Sequence, residues 1–304
     1  MKEIYNNIYS INITSIGEFD CCVYLIDTQS KDGLVLIDTG MNINSILKIN
    51  KIGFDPIHIN HCIITHGHID HFGIANELKK INENIKFYAH QLDSNWIEKK
   101  GYEDKNASSY LDGDFEPIRL EKHIKDSFGT LKFGDYELRY IHIPGHTPGS
   151  MAILLEIEKS KILFGGDIIG CPLKLMDGDL EKYKESMQKL LKLNLDLLCE
   201  GHMGVVRGMK KVSNFISNCV EMSKYLHNVL EVDPDNKDYW YNLCVKQYEL
   251  KIYDNALDSC NYLLELDPIN TKAKKLLKKI KKHNPPKFEF VKNYINEYFK
   301  YIQY

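Results

Sequence analysis

Thr65-His66-Gly67-His68-Ile69-Asp70-His71 puts three imidazoles and one carboxylate within six residues, directly after the apolar pair Ile63-Ile64. Residues 61–65 read as the end of a buried strand and Phe72–Ile81 as a helix, so the stretch is a tight strand-to-helix turn. Such a turn can aim His66 and His68 at one centre while Asp70 and His71 face another. Gly67 has no Cβ to clash within it.

Working outward, His146 stands in Pro144-Gly145-His146-Thr147-Pro148-Gly149, Asp167 in Gly165-Gly166-Asp167 and His202 in Glu200-Gly201-His202. Each follows a strand-like run: Leu138–Ile143, Lys161–Phe164 and Leu195–Cys199. Ligands at the ends of several strands converge on one edge of a sheet, where sites form in α/β folds. Imidazole nitrogen and carboxylate oxygen are what Zn²⁺ and similar divalent ions bind. The set His66, His68, Asp70, His71, His146, Asp167 and His202 suffices for two ions and leaves room for water. One histidine alone would read as an ordinary polar surface residue; this ordered, glycine-flanked series does not.

Together with Leu34-Val35-Leu36-Ile37-Asp38-Thr39-Gly40, these motifs resemble the metallo-β-lactamase-fold superfamily of metallohydrolases over roughly residues 8–204. The resemblance implies an α+β fold, a four-layer αβ/βα sandwich. It also implies that His66, His68 and His146 hold one metal, that Asp70, His71 and His202 hold a second, and that Asp167 bridges them. Asp38 matches a residue that braces the site loops without being a ligand. That role makes physical sense, because ligating imidazoles need their other N–H fixed.

Composition bounds the rest. A chain of 304 residues makes one large domain or two, with 43% hydrophobic and 27% charged residues, ordinary for a globular protein. Met1–Asn12 lacks the pattern of a secretory signal and no run reaches membrane-spanning length, so a cytoplasmic protein with no membrane partner is expected. The eight cysteines form no Cys-x-x-Cys pair and read as free, mostly buried thiols. Cys171, four residues past Asp167, could line the site or simply fill structure. The net charge of −3 divides unevenly. Residues 205–304 carry 17 basic and 12 acidic side chains (+5), leaving 22 basic and 30 acidic in 1–204 (−8). An acidic catalytic part is a poor host for nucleic acid.

Strands are expected at Ile8–Ile16, Cys22–Asp27 and Gly33–Ile37, with a hairpin turn at Lys31-Asp32-Gly33. Ser45–Ile52 reads as a helix and Ile85–Ala89 as a strand. Residues 93–117 read as a long loop or short helices, and covering the site is one role open to them. Phe128–Phe133, Tyr136–Pro144, Ser150–Glu156 and Lys161–Gly166 supply a second set of strands before the helix Leu180–Leu193. A catalytic domain is expected over 1–227 and a helical region over 228–304.

The helical region repeats itself. Leu230-Glu231-Val232-Asp233-Pro234 recurs as Leu264-Glu265-Leu266-Asp267-Pro268, an offset of 34 residues, the tetratricopeptide period. Trp240, Leu243, Tyr253, Ala256 and Leu257 match that repeat's spacing, while Cys244 and Ile252 depart from it. Only 237–270 makes a full repeat, with 208–231 and 271–283 as flanking helices. A chance echo in an ordinary helical appendage is the plain alternative. The seven lysines of Lys272–Lys282 read as a solvated helix face rather than a nucleic-acid patch. An aromatic-rich helix, Phe288–Tyr301, follows Pro285-Pro286. One repeat and that helix leave apolar surface to cover, and a homodimer through the C-terminal helices is expected.

The resemblance implies a hydrolase. Two ions about 3.5–4 Å apart turn a shared water into hydroxide and polarise a substrate oxygen. Asp70 is the carboxylate placed to orient that hydroxide and pass a proton to the leaving group. Zn²⁺ is the default ion, with Mn²⁺ or Fe²⁺ also suited. The Gly145–Ser150 segment resembles glyoxalase II-like thioesterases, lactonases and one lactamase subclass. The lactonase tyrosine is absent from Ile168-Ile169-Gly170-Cys171, and Arg207, Lys210 and Lys211 do not reproduce the glyoxalase II substrate pattern. The leading reading is a binuclear hydrolase of a small ester, thioester or lactone. A mononuclear iron persulfide dioxygenase and a scaffold that binds partners through its helical repeat are the alternatives. Substrate-binding residues stay unknown, because pocket walls come from loops.

Overall fold

Leu34-Val35-Leu36-Ile37 is buried at every residue, the pattern of a strand covered on both faces. In the computed structural model, which describes residues 1–12, 20–110, 115–283 and 285, that strand is central to a seven-stranded mixed sheet. The strands run in spatial order β1 (Lys2–Tyr5), β2 (Ile8–Ser10), β3 (Tyr24–Asp27), β4 (Leu34–Ile37), β5 (Ile59–Ile63), β6 (Lys86–His90) and β7 (Lys122–Ile124). Pairing is antiparallel from β1 to β4 and parallel from β4 to β7. A second sheet of six strands contains β8 (Phe128–Phe133), β9 (Tyr136–His142), β10 (Met151–Ile157), β11 (Ser160–Gly166), β12 (Leu197–Glu200) and β13 (Gly204–Arg207). Its one parallel pair is β11 with β12.

Period-two alternation builds the layers. Tyr24, Ile26, Val35, Ile37 and Ile63 turn to a core shared with Leu138, Ile153, Leu155 and Phe164 of the second sheet. Leu25, Leu34, Leu36 and Cys62 turn the other way, against Ile46 of α1 (Ile43–Leu47), Phe72 of α2 (Ile69–Phe72), Leu78 of α3 (Ala75–Ile81) and Ile97 of α4 (Ser94–Glu98). After the short helix α5 (Glu103–Asn106), α6 (Leu180–Leu191) buries Tyr183, Met187 and Leu190 on one side. Two mixed sheets with flanking helices make the expected αβ/βα sandwich.

The helix expected over Phe72–Ile81 differs. It begins earlier, so that Asp70 and His71 already lie on α2, and it breaks at Gly73-Ile74 before α3. The physical reason is competition for backbone groups: Thr39 N donates to His71 O and Ile74 N to Gly40 O, tying the break to the end of β4. A Cβ on Gly73 would sit 2.2 Å from Met41 Sδ and 2.9 Å from Ile69 O, so a larger residue there would have to displace the Met41 side chain.

The chain divides into two compact units, Met1–Ser213 and Asn214–Tyr304. The division falls inside α7 (Met209–His227), whose far end is where the sequence reading sets its boundary. In the second unit, α8 (Lys237–Glu249) and α9 (Tyr253–Leu266) form a helical hairpin on the segment read as a repeat, followed by α10 (Thr271–Ile280). Asn236 and Asn270 cap α8 and α10. Trp240 is fully buried, donates to Pro234 O at 2.6 Å and packs on Tyr262 with ring centres 4.7 Å apart. The Phe288–Tyr301 segment lies outside the described residues, as does the part of the expected Ile8–Ile16 strand beyond Asn12. Among the described residues no helix is long and apolar enough to cross a membrane.

Candidate metal centre

All the singled-out ligand residues leave the C-terminal ends of strands: His66–His71 after β5, His146 after β9, Asp167 after β11 and His202 after β12. They fall into two groups. Donor atoms of His66, His68, His146 and Asp167 lie within 4.8 Å of one another, and so do those of Asp70, His71 and His202. His68 Nδ1 is 3.1 Å from His66 Nε2 and 2.9 Å from His146 Nε2. Asp167 stands between the groups. Its Oδ2 lies 3.8 Å from His66 Nε2, 3.4 Å from His146 Nε2 and 3.0 Å from His202 Nε2, while its Oδ1 lies 2.9 Å from His71 Nε2. Asp70 Oδ2 is 3.5 Å from His202 Nε2 and 3.7 Å from His71 Nε2.

These residues fit divalent cations. A ring nitrogen carries either one proton or one lone pair, so three that converge this closely cannot all satisfy one another. His71 Nε2 and Asp167 Oδ1, although 2.9 Å apart, are buried without a hydrogen-bond partner. Buried polar atoms without partners are costly unless something else pairs them.

Electrostatics separates the halves. Burial, helped by His71, holds His66 well below the usual imidazole range, and burial with His146 does the same to His68. Burial opposes charge on His202, but Asp167 outweighs it and lifts the pKa to about 9. Burial would raise Asp167, yet His202 and His71 hold it well below the carboxylate range.

Asp38 closes the strand-end loop of β4 in a left-handed conformation, φ 61°. Its Oδ1 accepts from Thr65 N at 2.7 Å, and its Oδ2 accepts from Thr65 Oγ1 at 2.9 Å and lies 2.8 Å from His71 Nδ1. The carboxylate thereby fixes which way the His71 ring faces.

Sequence reasoning gave no role to three further residues. Asp93, fully buried, accepts from Gly67 N at 2.9 Å, Thr147 Oγ1 at 2.7 Å and Gly149 N at 2.6 Å. Burial lifts its carboxyl to about 6 against the pull of those bonds. Glu200, also fully buried, accepts from Ile169 N at 2.9 Å, His202 N at 2.8 Å and Met203 N at 2.7 Å. Trp96 of α4 stacks near-parallel to His68, 13° between planes. Asp93 opens the 93–117 segment, which forms helical turns at its start; in sequence only its place after a strand sets it apart. The Cys171 carbonyl, 3.4 Å away, faces His146 Nδ1.

Gly145 sets the entry to the His146 loop. Its φ is 140°, and a Cβ there would lie 2.3 Å from Tyr183 Cα. Gly145→Ala is expected to cost about 1–3 kcal/mol through backbone strain and overpacking. Thermal unfolding should show a lowered Tm, and an unchanged Tm would refute this reading of the contact.

A family model described as Metallo-beta-lactamase superfamily matches residues 16–202, and the chain belongs to that superfamily. An uncharacterized protein of Aquifex aeolicus is 32% identical over 175 residues, 56% of this chain and 77% of that one. A hydroxyacylglutathione hydrolase of Haemophilus influenzae is 27% identical, over 67% of this chain and 96% of that one. Two other curated relatives, from Bacillus subtilis and Caenorhabditis elegans, are spanned over only 63% and 64% of their lengths. Among solved structures, a subclass B3 metallo-beta-lactamase with an active-site glutamic acid superposes with a TM-score of 0.60 at 21% identity, covering 72% of this chain and 86% of that one.

Proposed function

We propose that the protein is a metal-dependent hydrolase of a small ester, thioester or lactone. The observation that carries this reading is the convergence of seven strand-end side chains into two donor groups, with Asp167 between them. Thioesters come first among the substrates, because the Haemophilus influenzae relative is named a hydroxyacylglutathione hydrolase, an acylglutathione is a thioester, and that relative is matched over 96% of its length.

His66, His68 and His146 would hold one ion, Asp70, His71 and His202 the other, and Asp167 both. When bound, such ions supply Lewis acidity toward a substrate oxygen and make water acidic enough to deprotonate near neutral pH. The remaining work falls to the chain. Thr65 and Asp38 keep the His66 and His71 rings oriented, with Thr65 Oγ1 3.1 Å from His66 Nδ1. The Asp70 carboxylate, through the oxygen not turned to His71 and His202, takes the proton of the attacking water and returns it to the leaving alkoxide or thiolate. With water as the nucleophile, the reaction passes through no acyl-enzyme.

A panel of hydroxyacyl thioesters, lactones and aryl esters tests the proposal with purified protein carrying its full metal complement. Hydrolysis of at least one class, lost on chelation, is the expected result. No turnover of any class, or consumption of O₂ with a persulfide, would overturn it.

A further inference from the structure

Two buried carboxylates, Asp93 and Glu200, serve no ligand role in the reading above, and each binds backbone from two loops of the site. Asp93 takes the amide of Gly67, between His66 and His68, and two donors flanking Pro148 in the His146 loop, Thr147 Oγ1 and Gly149 N. The fit is close on both sides. A Cβ on Gly149 would lie 2.5 Å from Asp93 Cγ, and one on Gly67 3.0 Å from both Asp93 Cβ and Trp96. Glu200 takes the amide of Ile169, just past Asp167, and the amides of His202 and Met203. A Cβ on Gly201, between Glu200 and His202, would lie 2.4 Å from Asp167 Oδ1.

We infer that Asp93 and Glu200 are positioning residues that each set the geometry of a different metal subsite: Asp93 that of His66, His68 and His146, and Glu200 that of His202 with Asp167. All six bonds run from N–H or O–H donors to carboxylate oxygens, so a carboxamide cannot replace either side chain. Its NH₂ would meet one of those donors head on. The inference rests on the metal reading above.

Zn²⁺ affinity, measured on the full chain by competition with a chromophoric chelator, separates the subsites. A His202→Ala background keeps the first ligand group intact, and a His146→Ala background keeps the second. Asp93→Asn is expected to weaken Zn²⁺ binding about 10–100-fold in the first background and to leave the second unchanged. Glu200→Gln should weaken the second by the same factor and the first by less, because Asp167 lies in reach of both groups. Equal weakening in both backgrounds, or none in either, would overturn the assignment while leaving the metal reading intact. Failure of the unsubstituted protein to bind Zn²⁺ would overturn both. If Asp93→Asn does not fold, Thr147→Val removes one of its bonds. That variant should weaken only the first subsite, and Thr147→Ser should restore it; loss at both subsites, or no loss, counts against the proposal.

Discussion

Asp70→Asn is expected to lower kcat by about 10²–10⁴-fold, the contribution of a positioned acid–base group. The fold should survive, because Asp70 sits at the start of α2 with its carboxylate at the site edge, 8% exposed. Asparagine keeps the shape and an oxygen donor but cannot take a proton from water. Circular dichroism and metal content, measured beside kcat, separate lost chemistry from lost structure. Near wild-type turnover with both metals bound would show that the proton goes elsewhere.

Removing the metal is expected to have a comparable effect, and on stability as well. Two divalent ions per chain are anticipated in protein purified without added metal, from the two donor groups. A chelator should abolish hydrolysis, and restoring Zn²⁺ should recover it. Because the ions bind the folded chain, their loss should lower stability by about 4 kcal/mol for an ion held at a thousand times its Kd. Differential scanning calorimetry before and after chelation reads this as a fall in Tm. One iron per chain would favour the mononuclear oxygenase, and no metal would remove the catalytic reading. His68→Ala, which takes one donor from the first group, should reduce metal content even where the fold is kept.

The sandwich was legible because a short, unbroken apolar run such as that of β4 fits a strand covered on both faces, and because Gly33 and Gly40 mark turns, each with φ of 71°. The break between α2 and α3 was not legible. It comes from bonds between His71, Ile74 and the Thr39-Gly40 loop, which no local preference encodes. Short strands such as β1, β7 and β13 were missed for a related reason: three or four residues carry too little periodicity to stand out.

By itself the sequence determined which atoms are offered, and in what order. Ligand chemistry demands imidazoles and carboxylates, and the His66–His71 turn presents four of them within one short segment. Tertiary structure decided that His146, Asp167 and His202, from three distant strand ends, meet the donors of that turn. It also decided that Asp93 binds Gly67, Thr147 and Gly149, residues 26, 54 and 56 positions away. A metal ligand declares itself by its side-chain type and its neighbours along the chain. A buried carboxylate that braces loops is defined by the donors that packing brings to it, and those exist only once the two sheets have closed together.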